Sequence, residues 1–512
     1  MNILFIMSDD HAATAIGSYR SRLAGIDPTP TIDQLAAQGT LFENAFATNS
    51  VCTPSRASIL TGQYSHINGA RNLGAKLEAA RQHLPLELKK AGYDTAVIGK
   101  WHISSEPAAF DHYEVLHSQG HYTDPIFNVK GSKTSRSTEG WPNNTQQFKG
   151  HSTDVITDRS LKWLRERDQS KPFMLLHHFK APHGPFENAA RYNNYLADVD
   201  IPEPETLWND GNWGSIATRG EDDSLRGLIG SSVSRRSHRS VGRGIVDKTL
   251  QGDAYTHASY QAYLKRYLRC VKGIDDNIKR LLDYLDQSGQ AKNTIVIYTS
   301  DQGMMLGEHD FHDKRWMYEE SMRMPLIIYH PQWSKQNKKP SRSRLVVDNT
   351  DYAPTLLALA GVSETPEYMQ GSDFSAALRS EKPSANHQAV YYRYWMHMKH
   401  HSVPAHFGIR TEQYKLIFFY GQPESNSPEK IAKAAGKKVE LAPLFASTPV
   451  AWEFYDMTSD PHETTNLYGD PKYGPIIANL KRQLQQMRTD IGENDSENFP
   501  HIQAAINAHW ND

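Results

Sequence analysis

The sequence predicts an α/β fold: a large, mixed and mostly parallel sheet sandwiched by helices, then a smaller C-terminal α+β domain with an antiparallel sheet. Three observations predict it. Short apolar runs alternate with amphipathic helical stretches, the pattern of strands buried on both faces and joined by crossover helices. Residues able to do chemistry stand at the ends of those runs. Beyond about residue 385 the texture changes to closely spaced antiparallel strand patterns.

The elements follow in order. "NILFIMS" (2–8) is a buried strand ending at Asp9–Asp10. "TPTIDQLAAQG" is a helix with a Gly stop, and "LPLELKKAGY" with "DTAVIGKWH" is a helix–strand pair. "STDVITDRSLKWLRERD" is helical and leads into the strand "KPFMLLHHF". Over 263–285, Leu264, Leu268, Val271, Ile274, Ile278, Leu281 and Leu285 recur at steps of three and four, the apolar face of one helix. "NTIVIYTSD" and "MPLIIYHP" are further strands. "QAVYYRYWMHM", "HFGIRTEQYKLIFFYG" and "WEFYDM" supply the antiparallel strands, and "PIIANLKRQLQQMRTDIG" a closing helix. The division expected is 1–384 for the catalytic domain and 385–512 for the C-terminal one, with polar, irregular regions near 105–150 and 200–260.

Composition excludes several classes. The 512 residues are 38% hydrophobic and 10% aromatic, enough for a sizeable core. A net charge of -2 predicts no nucleic-acid partner. The only cysteines, Cys52 and Cys270, are no disulfide framework, and Cys270 reads as an inert thiol on its helix. No apolar run approaches the ~18 residues of a membrane span. "MNILFIMSDD" has neither the basic start nor the cleavage site of a signal peptide. The chain is cytoplasmic if that N-terminus is native; the expectation is a periplasmic or secreted protein whose leader is absent from this chain.

Asp9, Asp10, Asp301 and Gln302 offer three carboxylates and an amide oxygen, hard donors suited to Ca²⁺ or Mg²⁺ rather than zinc. Alone, the Asp9–Asp10 pair reads as a solvated turn or a cap; a second aspartate at another strand end makes a metal site. In "CTPSRASILTG", Thr53 suits the N-cap and Pro54 the first helical position, so Cys52 sits where unpaired N–H groups favour an anion. Cys52 is then a small buried thiol or a low-pKa thiolate. Neither explains the carboxylates, because a hard cation is a poor partner for a thiolate.

"CTPSRASILTG" resembles the C-x-P-x-R signature of the type I sulfatases, which share the alkaline phosphatase-like superfold. "IMSDDH", "GKWHI", "APHGPF" and "SDQGMMLGEHDFHDKRWMYEESMRMPLIIYHP" resemble other segments of that family, in family order, as do "DYAPTLLALAGV" and "FYDMTSDPHETTNLYGD". The resemblance spans residues 1–470. It implies that a maturation enzyme oxidises Cys52 to formylglycine, whose hydrate is the nucleophile. It implies a divalent ion, Ca²⁺ before Mg²⁺, on Asp9, Asp10, Asp301, Gln302 and the modified Cys52. Arg56 is implied to hold the nucleophile, and Lys100 and Lys314 to grip sulfate oxygens. His183 would be the general acid, and His102 would take the proton that expels sulfate. Gln302 stands where asparagine is commonest in the family, and Ser104 where many members have glycine. His312 competes with Lys314 for the sulfate role, while His11 and His309 read as capping or packing residues.

Arg219, Arg226, Arg235, Arg236, His238, Arg239 and Arg243, with Trp208, Trp213, Tyr255 and Tyr260 nearby, read as a mobile solvated loop or as a cleft wall meeting a polyanion. His117, His121, Tyr122 and Trp141 add to that wall. The expectation is a sulfated carbohydrate substrate, such as carrageenan. The rivals are a phosphonate monoester or phosphodiester hydrolase of the same superfold, and an inactive carbohydrate-binding homologue.

Overall fold

The computed structural model describes residues 1–132, 144–208, 211–235, 241, 245–333, 341–379, 387–425, 427, 429 and 447–512. Ten strands form the main sheet: β1 (Asn2–Asp9), β2 (Thr40–Phe46), β3 (Asp94–Gly99), β4 (His112–Leu116), β5 (Ile126–Val129), β6 (Thr145–Gln147), β7 (Phe173–Pro182), β9 (Thr294–Ser300), β12 (Leu326–Tyr329) and β13 (Ser341–Asp348). The order is β13-β2-β12-β9-β1-β7-β3-β4-β5-β6. Strands β9, β1, β7, β3 and β4 are parallel neighbours. Strand β12 runs against both β9 and β2, so β2 points the same way as the parallel core. The chain therefore leaves β9, β1, β7, β3 and β2 at one common edge, and enters β12 from it.

Both faces of the sheet are covered. Along β1, Leu4 and Ile6 face one core and Ile3, Phe5 and Met7 the other, the period-2 alternation of a doubly buried strand. Helices α1 (Pro30–Gln38), α4 (Ser152–Glu166) and α5 (Gly252–Gln287) cover the first face; α2 (Cys52–Thr61), α3 (His83–Lys90) and α6 (Tyr352–Leu359) cover the second. All seven apolar residues read from the 263–285 pattern are buried, and the helix starts eleven residues earlier, at Gly252.

A second sheet pairs β8 (Ser231–Ser232) and β10 (Met305–Leu306) with β11 (Phe311–Asp313) between them. The C-terminal sheet is antiparallel in the order β14 (Ala389–Tyr394), β15 (His406–Thr411), β16 (Tyr414–Phe419), β17 (Ala451–Asp456). One of its faces takes α7 (Gly474–Asp490) and α8 (Pro500–His509), through Leu480, Leu484, Ile502 and Ile506. Helix α7 is thus not the last helix. The other face packs Tyr392, Tyr394 and Phe419 on Trp316, Met317 and Tyr318, the segment just after Lys314.

The 105–150 region is not wholly irregular: β4, β5 and β6 extend the main sheet there. They are three to five residues long and at the sheet's end, too short for periodicity to show. The expected boundary at 384/385 falls in 380–386, and Trp141, Arg236, His238, Arg239 and Arg243 also lie outside the described residues. Among the described residues, no helix is long and apolar enough to cross a membrane.

Candidate active site

The residue after each of four parallel strands is a site residue. Asp10 follows β1, Lys100 follows β3, His183 follows β7 and Asp301 follows β9, while Asp9 closes β1 itself. Ligands in open α/β sheets bind at this carboxyl edge. Gly99 allows the turn out of β3: its φ is +110°, and a Cβ there would lie 1.9 Å from the His178 carbonyl oxygen.

Helix α2 brings Cys52 to the same edge. The expected cap differs. Val51 is extended (φ −138°, ψ 135°) and Cys52 is the first helical residue. Thr53 does not cap, because its hydroxyl donates to the His102 carbonyl at 2.7 Å. Pro54 then falls in the first turn, where a missing N–H costs nothing. Gly62, at φ +66°, ends the helix.

The carboxylates converge: one oxygen each from Asp9, Asp10 and Asp301 lie within 4.8 Å of one another, as do groups of Asp9, Cys52 and His183. The Cys52 thiol is 3.3 Å from Asp9 Oδ1. Three cations answer them. Lys100 Nζ bonds Asp9 and, at 2.8 Å, Gln119 Oε1. Lys314 Nζ lies 2.5 Å from Asp10 Oδ2. Arg56 Nε donates to Asp301 Oδ2 at 2.9 Å, its Nη1 to the Lys100 carbonyl at 2.6 Å, and its Nη2 lies 3.9 Å from Asp9 Oδ1 with no hydrogen-bond acceptor. Gln302 Nε2 lies 2.5 Å from Asp10 Oδ1, and its buried Oε1 has no partner. His183 donates from Nδ1 to the Gly184 carbonyl at 2.8 Å, leaving Nε2 3.8 Å from Asp10 Oδ2. His102 is in the left-handed region (φ 50°), with Nδ1 buried and unpartnered. All the site residues expected from sequence are thus brought together.

Burial and the charges of close neighbours set the electrostatics of the site. Burial would raise Asp9, but Lys100, His183, Arg56 and Lys314 hold it well below the usual carboxylate range. Burial raises Asp10, and raises Asp301 to about 7 with Asp9 adding to the effect. Three carboxylates this close raise one another's proton affinity, and the two lysines and Arg56 oppose that. Burial pushes the Cys52 thiol far up, and the Asp9 charge pushes it further. This overturns the low-pKa thiolate reading of Cys52: the helix N-terminus is outweighed by burial beside a carboxylate. Burial also lowers His102 and His183 well below the ordinary histidine range, with Lys100 acting the same way on both.

The rivals separate. The His312 ring lies against Tyr263 and His401, while Lys314 reaches the carboxylates. His11 bonds Tyr298, and His309 packs between Trp213 and Tyr318, so both are packing residues. Cys270 is buried, its thiol raised to about 12 by burial.

Most of the described aromatic and arginine residues expected to line a cleft are buried or held by neighbours. Trp213, Tyr122, Tyr255 and Tyr260 are buried; of the expected tryptophans and tyrosines only Trp208 is exposed, 43%, among the described residues. Arg219 and Arg226 are held by Asp223, and Arg235 Nη2 donates to the Ile229 carbonyl. Beside Lys314 stand Asp313, Arg315 and His401 instead. Arg315 pairs with Asp313, His401 Nε2 is 3.3 Å from Asp313 Oδ1, and Ser231 Oγ is 2.7 Å from His401 Nδ1. Tyr392 donates to the Arg315 carbonyl at 2.6 Å. Sequence reading missed these residues because β8, β11 and the 395–404 loop meet only in three dimensions. It also missed Lys180, a 3% exposed ammonium over the Tyr122 ring at 4.9 Å, lowered to about 8 by burial. Tyr122 itself donates to the His183 carbonyl at 2.6 Å.

Comparison with known proteins gives this geometry a family. Residues 1–362 match the model of the sulfatase family, and 307–433 with 435–490 match that of the N-sulphoglucosamine sulphohydrolase C-terminal region. An N-acetylglucosamine-6-O-sulfatase of Bacteroides thetaiotaomicron is 35% identical, over 97% of this chain and 88% of its own. A solved structure in complex with its substrate, D-glucosamine-2-N,6-O-disulfate, is 34% identical with a TM-score of 0.82, covering 96% of this chain and 98% of its own. A phosphonate monoester hydrolase from Silicibacter pomeroyi shares the fold, at 21% identity and a TM-score of 0.70, covering 97% of this chain and 96% of its own. The chain belongs to the sulfatase family, whose members are hydrolases of sulfate esters.

Proposed function

We propose that the protein removes sulfate from the 6-position of an N-acetylglucosamine-type amino sugar, cleaving the S–O bond at a centre built on Cys52. The observation that carries it is the meeting of Cys52 with three carboxylates, two lysines and Arg56 at one strand edge. The choice of sugar is supported by likeness to the 6-O-sulfatase and to the disulfated glucosamine complex, which favour an amino sugar over a carrageenan-type chain.

The residues fit a divalent cation. Gln302 Oε1 is a buried acceptor without a partner, and it stands beside the Asp9, Asp10 and Asp301 carboxylates that converge at this edge. Asp9, Asp10, Asp301 and Gln302 would hold it, hard oxygen donors suited to Ca²⁺ or Mg²⁺, and by likeness to the family Ca²⁺ is the one proposed. When bound, the cation supplies charge neutralisation, and formylglycine made from Cys52 by a maturation enzyme supplies, when hydrated, the nucleophilic hydroxyl.

The chain's own groups do the rest. With the carboxylates engaged elsewhere, Lys100 and Lys314 turn to the sulfate oxygens, and charge on those oxygens is stabilised in a dry site. Arg56, fixed at Nε and Nη1, keeps Nη2 for the nucleophile's oxygen. His183 is fixed at Nδ1, and burial and Lys100 lower its proton affinity in the free protein; an incoming sulfate raises it, and His183 delivers a proton from Nε2 to the leaving alcohol. His102, with Nδ1 unpartnered, takes the proton that lets sulfate leave. Asp313 and Arg315 offer an acceptor and a forked donor beside Lys314, the pair that vicinal sugar hydroxyls need.

Desulfation of 6-O-, 4-O- and 2-O-sulfated sugars, followed by chromatography of the released sugar, tests the reading. Preference for the 6-sulfate of the amino sugar is expected; turnover only of aryl sulfates or phosphonate monoesters would overturn it. The Cys52 peptide is expected ~18 Da lighter by mass spectrometry when the thiol has become an aldehyde.

A further inference from the structure

Asn349 is fully buried, has no place in the chemistry above, and is bonded at both ends of its amide. It follows β13 directly, where its N–H donates to the Phe46 carbonyl at the end of β2. Its Oδ1 accepts from the Thr48 N–H at 3.1 Å and the Thr48 hydroxyl at 2.9 Å. Its Nδ2 donates to Ser55 Oγ at 2.8 Å. Ser55 Oγ in turn donates to the Asp301 backbone carbonyl. Ser55 is one turn along α2 from Cys52, and Asp301 carries both the Arg56 contact and a carboxylate of the cluster.

The direction of this chain of bonds is fixed. A backbone N–H can only donate, so the atom facing Thr48 must be the amide oxygen, and the nitrogen must face Ser55. A hydroxyl that accepts from that nitrogen keeps its own proton for Asp301. We propose that Asn349 is a positioning residue for the metal-binding centre: through Ser55 it holds the Asp301 backbone, and with it the Asp301 carboxylate, in register with the start of α2. The inference rests on the sulfatase reading only for the identity of the reaction; the bonded chain and its effect on cation binding do not need it. Residues behind metal ligands set affinity in this way, at about 10- to 100-fold per residue removed.

Asn349→Asp tests the direction of the relay. It keeps size and the Thr48 contact but offers a second oxygen to Ser55, whose proton is then drawn away from Asp301. Ser55→Ala removes the middle of the relay, and Ser55→Thr retains a hydroxyl there. Ca²⁺ affinity by calorimetry and kcat per formylglycine-bearing site, counted by mass spectrometry, are read for each. The expected result is a roughly tenfold or greater loss of Ca²⁺ affinity in Asn349→Asp and in Ser55→Ala, near-native affinity in Ser55→Thr, and no further loss when the first two are combined. Unchanged Ca²⁺ affinity and kcat in both variants, with only the metal-free melting temperature lowered, would overturn the proposal. So would fully additive losses. If Asn349→Asp does not fold, Ser55→Ala against Ser55→Thr reads the same relay. Calcium binding by the wild-type chain without desulfation would fault the proposed reaction and leave the relay standing.

Discussion

The two nitrogens of His183 have different fates, and that difference is measurable. Nδ1 is spent on Gly184, so only Nε2 can give a proton to a leaving group. In His183→Ala, turnover of a sugar sulfate, whose alkoxide needs that proton, is expected to fall about 10²- to 10⁴-fold. p-Nitrophenyl sulfate, with a far better leaving group, is expected to lose less than about tenfold. Lys314→Ala acts on the sulfate rather than the leaving group, and both substrates should drop alike, by about 10²–10³ in kcat. Chelation is expected to abolish activity, and Ca²⁺ at about a hundredfold excess over its Kd to restore it and add about 2.7 kcal/mol to unfolding stability, read by urea titration. The sequence named most of these side chains because each sits in a local motif. It did not show that the Cys52 thiol is raised, because that depends on burial in the folded site and on Asp9, 43 residues away.

At the level of elements, the site depends on strands that stop in step. β3 must pass within hydrogen-bonding distance of β7 and then turn, and Lys100 N–H donates to the His178 carbonyl at 2.8 Å in doing so. Gly99→Ala places a methyl into that carbonyl in a left-handed conformation, so a loss of about 3 kcal/mol or more is expected in urea unfolding. Strands β1, β3, β7 and β9 were legible as apolar runs, and α5 from its spacing, whereas β2 and β4 were not read as strands. The start of α2 was not: Thr53 and Pro54 look like a cap and a first residue, but the Thr53 hydroxyl is claimed by His102 across the site. Sequence carries no trace of that competitor.

Across the whole molecule, the C-terminal sheet is tied to the nucleophile side of the main sheet. His387, just before β14, bonds Asp351 at 2.7 Å, at the start of α6. Asp348 and Asp351 resemble a second cation site, but their oxygens are taken by Tyr64, Thr350, Ser372, His387 and the Asp348 N–H. Burial would lower His387, yet Asp351 outweighs it and holds the imidazolium up at about 9. An unfolded histidine titrates near 6.5, so the contact stabilises fully below about pH 6.5 and is lost as pH rises towards 9. Asp348, raised to about 6 by burial and by Asp351, titrates below that window. Stability is expected to fall by up to about 3 kcal/mol between pH 6.5 and 9, and His387→Gln to flatten that slope in denaturant melts. A slope unchanged by the substitution would remove His387 as its source.

By itself the sequence determined the layered α/β architecture, the positions of β1, β3, β7, β9 and β12 and the roster of carboxylates, lysines, histidines and Cys52, because burial periodicity and motif spacing are local properties. Only the tertiary structure decided which charges meet, that Cys52 lies against Asp9 rather than in an anion-stabilising cap, and that Asp313, Arg315 and His401, not the 219–243 arginines within the described residues, stand beside Lys314. Those outcomes come from side chains tens to hundreds of residues apart sharing one low-dielectric space, where a neighbour's charge or hydrogen bond outweighs anything the chain encodes nearby.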